Sequence, residues 1–282
     1  MLLTALRAEL IKLYRRPSLY LAFAVILVVV VLVALGAGYM ERRIGQRATR
    51  HALGGDFLVH VKVVNGPFIA SAVMLPCIPV LLPLLVSVVA GGQIAGERTT
   101  GVLRTVLSRP VSRAHVFAAK FAVSALHSVV LAAALGVIAL VVGLIWYGGG
   151  GLVVVDRPLR EFGVHDTYVR LGLAYAIAAW GLIAVASLSL MFSALLRNPT
   201  AAAGMAVAFV VACVIASPIF QEMEWDFIPP YLLSEQLLAF RQAAAVEINA
   251  AELARSLAVL GGYIVIPFLI GLAVFQRRDV LC

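Results

Sequence analysis

The stretch Leu19–Met40, LYLAFAVILVVVVLVALGAGYM, contains 22 residues and no charged side chain. A helix rises about 1.5 Å per residue, so a run of this length crosses the roughly 30 Å hydrocarbon core of a bilayer. Five further runs, each with at most one Asp, Glu, Lys or Arg, follow along the chain. They are 67–90, 116–147, 171–196, 201–220 and 256–275. The run 116–147 is long enough to tilt or to project into water, and its basic start, with His115 and Lys120, indicates that it projects. The sequence therefore predicts an all-α integral membrane protein with six transmembrane helices.

The overall composition supports this fold class. Of 282 residues, 63% are hydrophobic and 13% are charged, whereas soluble domains are about half apolar and about a quarter charged. A soluble fold of this length would leave too much apolar surface in water. The net charge of +8 comes from basic residues beside the apolar runs, as topology signals do. No basic stripe is interleaved with aromatic side chains, so we expect no nucleic-acid partner.

The distribution of basic residues predicts the orientation. They are denser in the segments that share a side with the N-terminus, which places these segments and both chain termini in the cytoplasm. The cytoplasmic segments are 1–18, 91–115, 197–200 and 276–282. The predicted extracytoplasmic loops are 41–66, 148–170 and 221–255. We therefore expect a single transmembrane domain over 1–282.

The segment before the first run, 1–17, has leucines at helical spacing, with Glu9 and several basic residues on other faces. The leucines are Leu2, Leu3, Leu6, Leu10 and Leu13. This pattern is typical of an amphipathic helix that lies in the membrane interface. The alternative is a basic flank that only sets the topology.

The cytoplasmic loop 91–114 carries the most informative residues. Pro110 is expected to end a helix that begins near Ile94. An apolar stripe on that helix is edged by three arginines. The stripe consists of Val102, Leu103, Val106 and Leu107, and the arginines are Arg98, Arg104 and Arg109. Such a helix suits docking in a groove of a cytoplasmic partner or resting on lipid, and the pattern leaves both open.

The run GERTTGVLRTVLSRPVSR at 96–113 resembles the signature of ABC-2-type ABC transporter permeases. In that family a glutamate and a glycine precede a leucine-arginine-x-x-leucine-x-x-proline-x-x-arginine segment, and a lysine follows. The matching residues are Glu97, Gly101, Leu103, Arg104, Leu107, Pro110, Arg113 and Lys120. The start of the chain resembles the amphipathic elbow helix of the family, and 275–280 resembles its usual ending.

This resemblance implies the permease subunit of an ATP-driven exporter in the prokaryotic cytoplasmic membrane. The chain would pair with a separate ATPase subunit and a second permease copy, in a homodimer. Segment 94–109 would be the coupling helix, and the turn 196–199 would be a second ATPase contact. The implied coupling residues are Glu97, Arg98, Gly101, Val102, Leu103, Arg104, Val106, Leu107, Arg109, Arg197 and Asn198.

No catalytic, cofactor or metal residues are expected in this chain. None of its three lysines follows a glycine, so there is no P-loop to hold ATP phosphates. ATP and magnesium would bind the partner ATPase, and the chain itself would not be an enzyme. Three alternatives stay open: a mechanical transmitter that acts on an extracytoplasmic protein without transport, an ion-coupled secondary transporter, and a membrane scaffold or immunity protein without turnover.

Three features inside the runs bear on these alternatives. Ion-coupled carriers usually bury an acidic or basic residue at mid-membrane. Here only His127 lies within an otherwise apolar run, and a hydrogen-bonded packing histidine is favoured over a proton or substrate site.

Pro76, Pro79 and Pro83 indicate either a hinge or a static kink. A small-residue stripe favours packing within the chain over a dimer seam. It consists of Gly204, Ala208, Ala212 and Ala216.

Overall fold

The computed structural model describes residues 7, 9–12, 17–51, 64–101, 112–154, 160–225, 227–245 and 248–277. Six helical segments in this part are long and apolar enough to cross a membrane, and we number them as spans one to six. They are Ser18–Arg43, Gly66–Thr99, Arg113–Tyr147, Val164–Leu195, Pro199–Glu222 and Ala250–Arg277. Each predicted run lies within one of these segments or passes its end by a single residue. The prediction of a multi-pass helical membrane protein is confirmed.

The first span belongs to helix α1, Pro17–His51, and the third to sixth spans are helices α5, α6, α7 and α9, with the bounds given above. The second span is divided into α2 (Gly66–Ala72), α3 (Met74–Pro76), a π-helical turn (Cys77–Leu81) and α4 (Leu82–Thr99). Strands β1 (Val153–Val154) and β2 (Arg160–Glu161) pair antiparallel. Two 3₁₀ turns, Pro229–Tyr231 and Ala239–Ala244, flank α8, Leu233–Leu237.

The fourth span is the most buried of the six and occupies the centre of the bundle. It packs against the second, third, fifth and sixth spans. Its buried face is rich in alanine and serine, whose small side chains allow several helices to approach closely. The first span lies at the periphery and packs chiefly against the third.

The spans alternate in direction, so their ends meet at two opposite sides of the bundle. At one side Gly66 donates its backbone N–H to Gly148 O at 2.8 Å, and Asn65 donates its side-chain amide to Gly151 O at 2.6 Å. We call this side the loop end, because the long connections after the third and fifth spans lie there. The opposite side carries residues 9–12 and the ends of the second and fourth spans, and we call it the cluster end.

The three prolines of the second span surround its π-helical turn. Proline supplies no backbone N–H, so the regular hydrogen-bond ladder cannot continue through Pro79 and Pro83. The chain widens by one residue instead, and Leu82 N–H donates to Cys77 O, five residues earlier. Such single π turns are frequent at functional positions in helices. The predicted break in this span is thus found, and its action as a hinge stays a prediction.

Two predicted boundaries were wrong. Helix α1 continues to His51, so the first eleven residues of the predicted loop 41–66 are helical. Helix α4 runs without interruption through Ile94 to Thr99, so no separate helix begins near Ile94. The chain leaves α4 at Gly101, whose φ of 72° is a conformation that favours glycine.

Candidate functional site

Four charged side chains from three separate segments meet at the cluster end. Lys120 Nζ lies 2.7 Å from Glu97 Oε2 and 3.2 Å from Glu9 Oε1. Lys12 Nζ lies 2.9 Å from Glu97 Oε1 and 3.1 Å from Glu9 Oε1. Each lysine therefore contacts both glutamates, and we call this group the ion cluster. It joins residues 9–12 to the second and third spans.

Burial makes this cluster more than a surface ion pair. The side chain of Lys120 is 0% exposed, Glu97 is 7% exposed and Glu9 is 12% exposed. An isolated charge at such a depth is costly, whereas two acids and two bases leave no net charge. Removing one member of a buried pair typically costs about 3–5 kcal/mol, because an uncompensated charge remains. The cluster therefore constrains the relative positions of its three segments.

Lys12 closes the cluster on its solvent side. Its side chain is 38% exposed, more than that of any other member. Burial by itself lowers the pKa of Lys12, but hydrogen bonds and charge attraction from Glu97 and Glu9 outweigh it. The pKa therefore lies above its ordinary value of 10.5. Lys12 is accordingly a permanent cation at physiological pH.

Lys120 corrects an expectation from the sequence. The basic start of the third run, with His115 and Lys120, suggested that this helix projects into water. The structure buries Lys120 completely, one and a half to two turns inside α5, and satisfies its charge with two carboxylates. A buried acid is also present, Glu97, whereas the sequence pattern indicated only His127 as an ionisable side chain within an otherwise apolar run.

A polar seam continues from the ion cluster into the bundle. Gln93, one turn before Glu97, donates its side-chain amide to Ser124 Oγ at 2.9 Å, and Ser124 lies one turn after Lys120. His127 lies on the same side of α5 and is 2% exposed. Neither of its ring nitrogens has a hydrogen-bond partner within the part of the chain that the structure describes. The expectation of a hydrogen-bonded packing histidine is therefore not met.

Ser193 ties the second and fourth spans together beside this seam. Its hydroxyl donates to Gly91 O at 2.6 Å and accepts from the backbone N–H groups of Ile94 and Ala95, at 3.1 and 3.0 Å. A β-carbon at Gly91 would lie 2.7 Å from the backbone nitrogen of Ala203, so the second and fifth spans also touch here. The second span is thus held from several sides between Gly91 and Glu97.

The predicted partner contacts divide into three groups. Val102, Leu103, Arg104, Val106, Leu107 and Arg109 lie outside the described residues. Glu97 faces inward, into the ion cluster. The remaining four are accessible: Gly101, Arg197 and Asn198 are exposed, and Arg98 is half-buried.

The accessible residues come together at one surface. Arg98 donates from Nη1 to Ala194 O at 3.2 Å, which brings the end of the second span against the turn between the fourth and fifth spans. Asn198 caps α7 by accepting from Thr200 N–H, and Pro199 occupies the first turn. At the same end of the bundle Arg113 donates to Gln276 O at 3.0 Å. The two segments expected to contact an ATPase are therefore neighbours.

The small-residue stripe on the fifth span does not pack within the chain. Gly204, Ala208 and Ala212 are exposed, and Ala216 is half-buried. A β-carbon at Gly204 would meet no atom within 4 Å. The other face of α7 carries the buried residues, among them Ala202, Ala206 and Val210. The preference for packing within the chain was therefore wrong.

Comparison with known proteins places the chain in a family. The family model described as "Protein of unknown function (DUF2705)" matches residues 56–281, which is most of the chain. The chain belongs to this family. The matched region includes the second to sixth spans and both span residues of the ion cluster, Glu97 and Lys120.

One curated relative is similar in sequence. It is the "Uncharacterized protein YhcI" of Bacillus subtilis (strain 168), which is 25% identical over 208 residues. The similarity covers 71% of this chain and 65% of the relative, so the chain spans about two thirds of the relative's length. The descriptions of the family and of this relative name no activity.

Proposed function

We propose that this chain is the permease subunit of an ATP-driven ABC transporter of the ABC-2 type. It would couple ATP hydrolysis by a separate ATPase to substrate export across the prokaryotic cytoplasmic membrane. Both chain termini and the cluster end would face the cytoplasm. The observation that carries this proposal is the buried ion cluster, because two of its members, Glu97 and Lys120, are among the residues that match the ABC-2 signature.

The ion cluster joins the second and third spans, which precede and follow residues 102–111 in the chain. Glu97 lies shortly before Gly101, where the chain leaves the second span, and Lys120 lies shortly after Ser112, where the third span is capped. The contact between Glu97 and Lys120 at 2.7 Å closes this loop at its base. A force on the loop would consequently reach the second and third spans together.

Helix α4 is suited to carry such a motion into the membrane. It is an unbroken helix of 18 residues, about 27 Å long, between the π-helical turn and the cluster end. The π turn and its prolines weaken the helix at the far end of this segment. A force applied at Glu97 would tilt α4 about the π-helical turn Cys77–Leu81. The part of the second span before this turn could then keep its own orientation.

A partner surface is available next to the cluster. Arg98, Gly101, Arg197 and Asn198 would contact the ATPase, together with the apolar stripe and arginines between 102 and 109. ATP and magnesium would be held by that subunit. The exposed face of the fifth span at Gly204, Ala208 and Ala212 supports a second permease copy, because small residues let helices of two chains approach closely.

An ion-coupled secondary transporter is favoured by a different observation. The seam from Glu97 through Gln93 to His127 buries ionisable and unpaired polar groups, which is the kind of arrangement that proton relays use.

A mechanical transmitter would share the ATPase partner of the exporter and would differ only in acting on an extracytoplasmic protein.

Co-purification tests the proposal. The tagged chain is expressed with candidate ATPases from its own source, and ATPase activity is measured on the purified material. We expect an ATPase to be retained by the wild type and lost in the Arg104→Ala plus Arg197→Ala variant. Arg255→Ala, at the loop end, is the matched control and should retain it.

The alternatives give different results. If no candidate ATPase is retained, and the reconstituted chain alone moves solutes in response to a proton or sodium gradient, the secondary transporter replaces our proposal. If an ATPase is retained and its hydrolysis is changed by a co-purifying extracytoplasmic protein without solute movement, the transmitter replaces export.

A further inference from the structure

A cavity of about 390 Å³ lies at the loop end, away from the ion cluster. It is formed by the first turns of the second span, the start of the fourth span, the connection between the third and fourth spans, and the 3₁₀ turn Ala239–Ala244. Its volume is within the range of small-molecule sites in proteins. The cavity is lined mainly by apolar side chains, including Phe68, Met74 and Phe240.

Most polar side chains of the cavity lie near the loop end. These are Thr167, Arg170 and Arg241, whereas Ser71 lies further along the second span, and no Asp or Glu is among the described residues of the wall. The guanidinium of Arg170 is fixed by Asp166 at 2.9 Å and lies 4.3 Å from the centre of the Phe162 ring. Arg241 is exposed and has no carboxylate partner among the described residues. Asp166 balances the charge of Arg170, so Arg241 gives the mouth of the cavity its net positive charge among the described residues.

The opposite part of the cavity extends into the apolar layer. Its walls follow the second span from Pro67 to Leu75 and the fourth span from Thr167 to Ala174. Seven or eight residues of helix correspond to about 11 Å of depth. Leu75, at the apolar part of the wall, is 48% exposed on a membrane-spanning segment, so the cavity reaches the lipid-facing surface there.

A cationic mouth above an apolar slot that opens to the bilayer matches one class of molecule. We infer that the cavity binds a membrane phospholipid with an anionic headgroup. The phosphate would accept hydrogen bonds from Arg241 at the mouth, and one acyl chain would lie between the second and fourth spans, beside Met74 and Leu75. Arginine is well suited to phosphate because its planar fork donates two parallel hydrogen bonds.

This inference rests on the membrane location of the chain and is independent of the proposed ATPase. The proposed lipid site also lies next to the π-helical turn, because the wall residues Met74 and Leu75 come just before Cys77–Leu81. A lipid in the slot would contact the second span immediately beside its weakest turn. Failure of the ATPase test would leave the lipid site intact, and the reverse also holds.

Native mass spectrometry of the purified full chain tests the site. The chain is incubated with equal amounts of phosphatidylglycerol and phosphatidylcholine of identical acyl chains, and bound lipids are counted at rising collision energy. We expect one phosphatidylglycerol to be retained after all other lipid has dissociated. Arg241→Gln should weaken this retention by at least about tenfold, as expected for the loss of a charge-assisted hydrogen bond.

Two further variants separate the site from general charge effects. Arg255→Gln removes the same charge at the same end of the bundle, from a residue outside the cavity wall, and should leave retention unchanged. Ala72→Phe fills the slot and should abolish retention while thermal stability shows that the chain is folded. Equal retention of both lipids, or equal losses in Arg241→Gln and Arg255→Gln, would mean annular lipid only and would overturn the inference.

Discussion

The two ends of the bundle differ in how deeply their charged side chains are buried and in how closely their helices pack. At the cluster end, two acids and Lys120 are buried in contact with the partly exposed Lys12, and Ser193 and Gly91 bring three spans together. At the loop end, the ion pair between Asp166 and Arg170 is half open to solvent, and cavities separate the spans. Under the proposed function, motion would enter through the tightly packed cluster end and would be expressed at the loop end, which has room to rearrange.

The largest effect should come from unbalancing the ion cluster. Lys120→Met leaves Glu9 and Glu97 with only Lys12 to compensate them, and we expect a loss of about 3–5 kcal/mol of stability. Thermal unfolding of the purified chain in detergent measures this as a lower melting temperature.

The matched double variant sharpens the same test. Glu97→Gln combined with Lys120→Met removes one charge of each sign and leaves Glu9 paired with Lys12 at 3.1 Å. Most of the stability lost in Lys120→Met should return. If both variants are equally destabilised, loss of packing rather than charge balance explains the cost, and the role of the cluster is different from the one described.

Close packing at the cluster end should produce the next largest effect. The β-carbon of Gly91→Ala would lie 2.7 Å from the Ala203 backbone, which cannot move as a flexible side chain would. Overpacking of this kind costs about 1–3 kcal/mol. Gly204→Ala, on the same pair of spans but facing open space, should be neutral or stabilising for the single chain. Equal melting temperatures for the two variants would contradict the close approach of the second and fifth spans.

Removing charge at the loop end should have a much smaller effect. Asp166 is 49% exposed and pairs with Arg170 one helical turn away. Exposed pairs of this kind contribute about 0.3–0.5 kcal/mol. Asp166→Asn should therefore barely change the melting temperature. A loss comparable to that of Lys120→Met would show that the two ends do not differ in the way proposed.

The smallest expected effect is that of pH on Lys12. Because its folded pKa is raised, its stabilising contribution is complete below the ordinary value of 10.5 and is lost only as the pH rises through the higher, folded value. The stability difference between wild type and Lys12→Met should thus be constant between about pH 7 and pH 9. A difference that disappears within that interval would mean that Lys12 titrates there.

The sequence alone predicted the spans but not the ion cluster, for a physical reason. An apolar run is a local signal, because each run of this length must find lipid or protein to cover it. The contact between Glu97 and Lys120 depends on how two spans pack, and residues 9–12 add a third segment. One local signal was present: Lys120 lies in the apolar stretch FAAKFAVSA, where a lysine requires a buried partner.

The prediction that the small-residue stripe of the fifth span packs within the chain was wrong for a related reason. Small residues at every fourth position predict a close helix contact, but they do not say with which helix. The face with Ala202 and Ala206 packs within the chain, and the face with Gly204 and Ala208 points outward. Both faces have similar composition, so only the tertiary arrangement distinguishes them.

The most direct test of the account is ATP hydrolysis by the complex with the ion cluster neutralised. The double variant Glu97→Gln plus Lys120→Met is purified with the ATPase partner, and its hydrolysis and its solute export are compared with those of the wild type in the same vesicles. We predict that the ATPase is still bound and still hydrolyses ATP, while export per ATP falls strongly, because the contact between Glu97 and Lys120 no longer closes the loop at its base. Unchanged export per ATP in a folded double variant would contradict the proposal that this cluster transmits the motion.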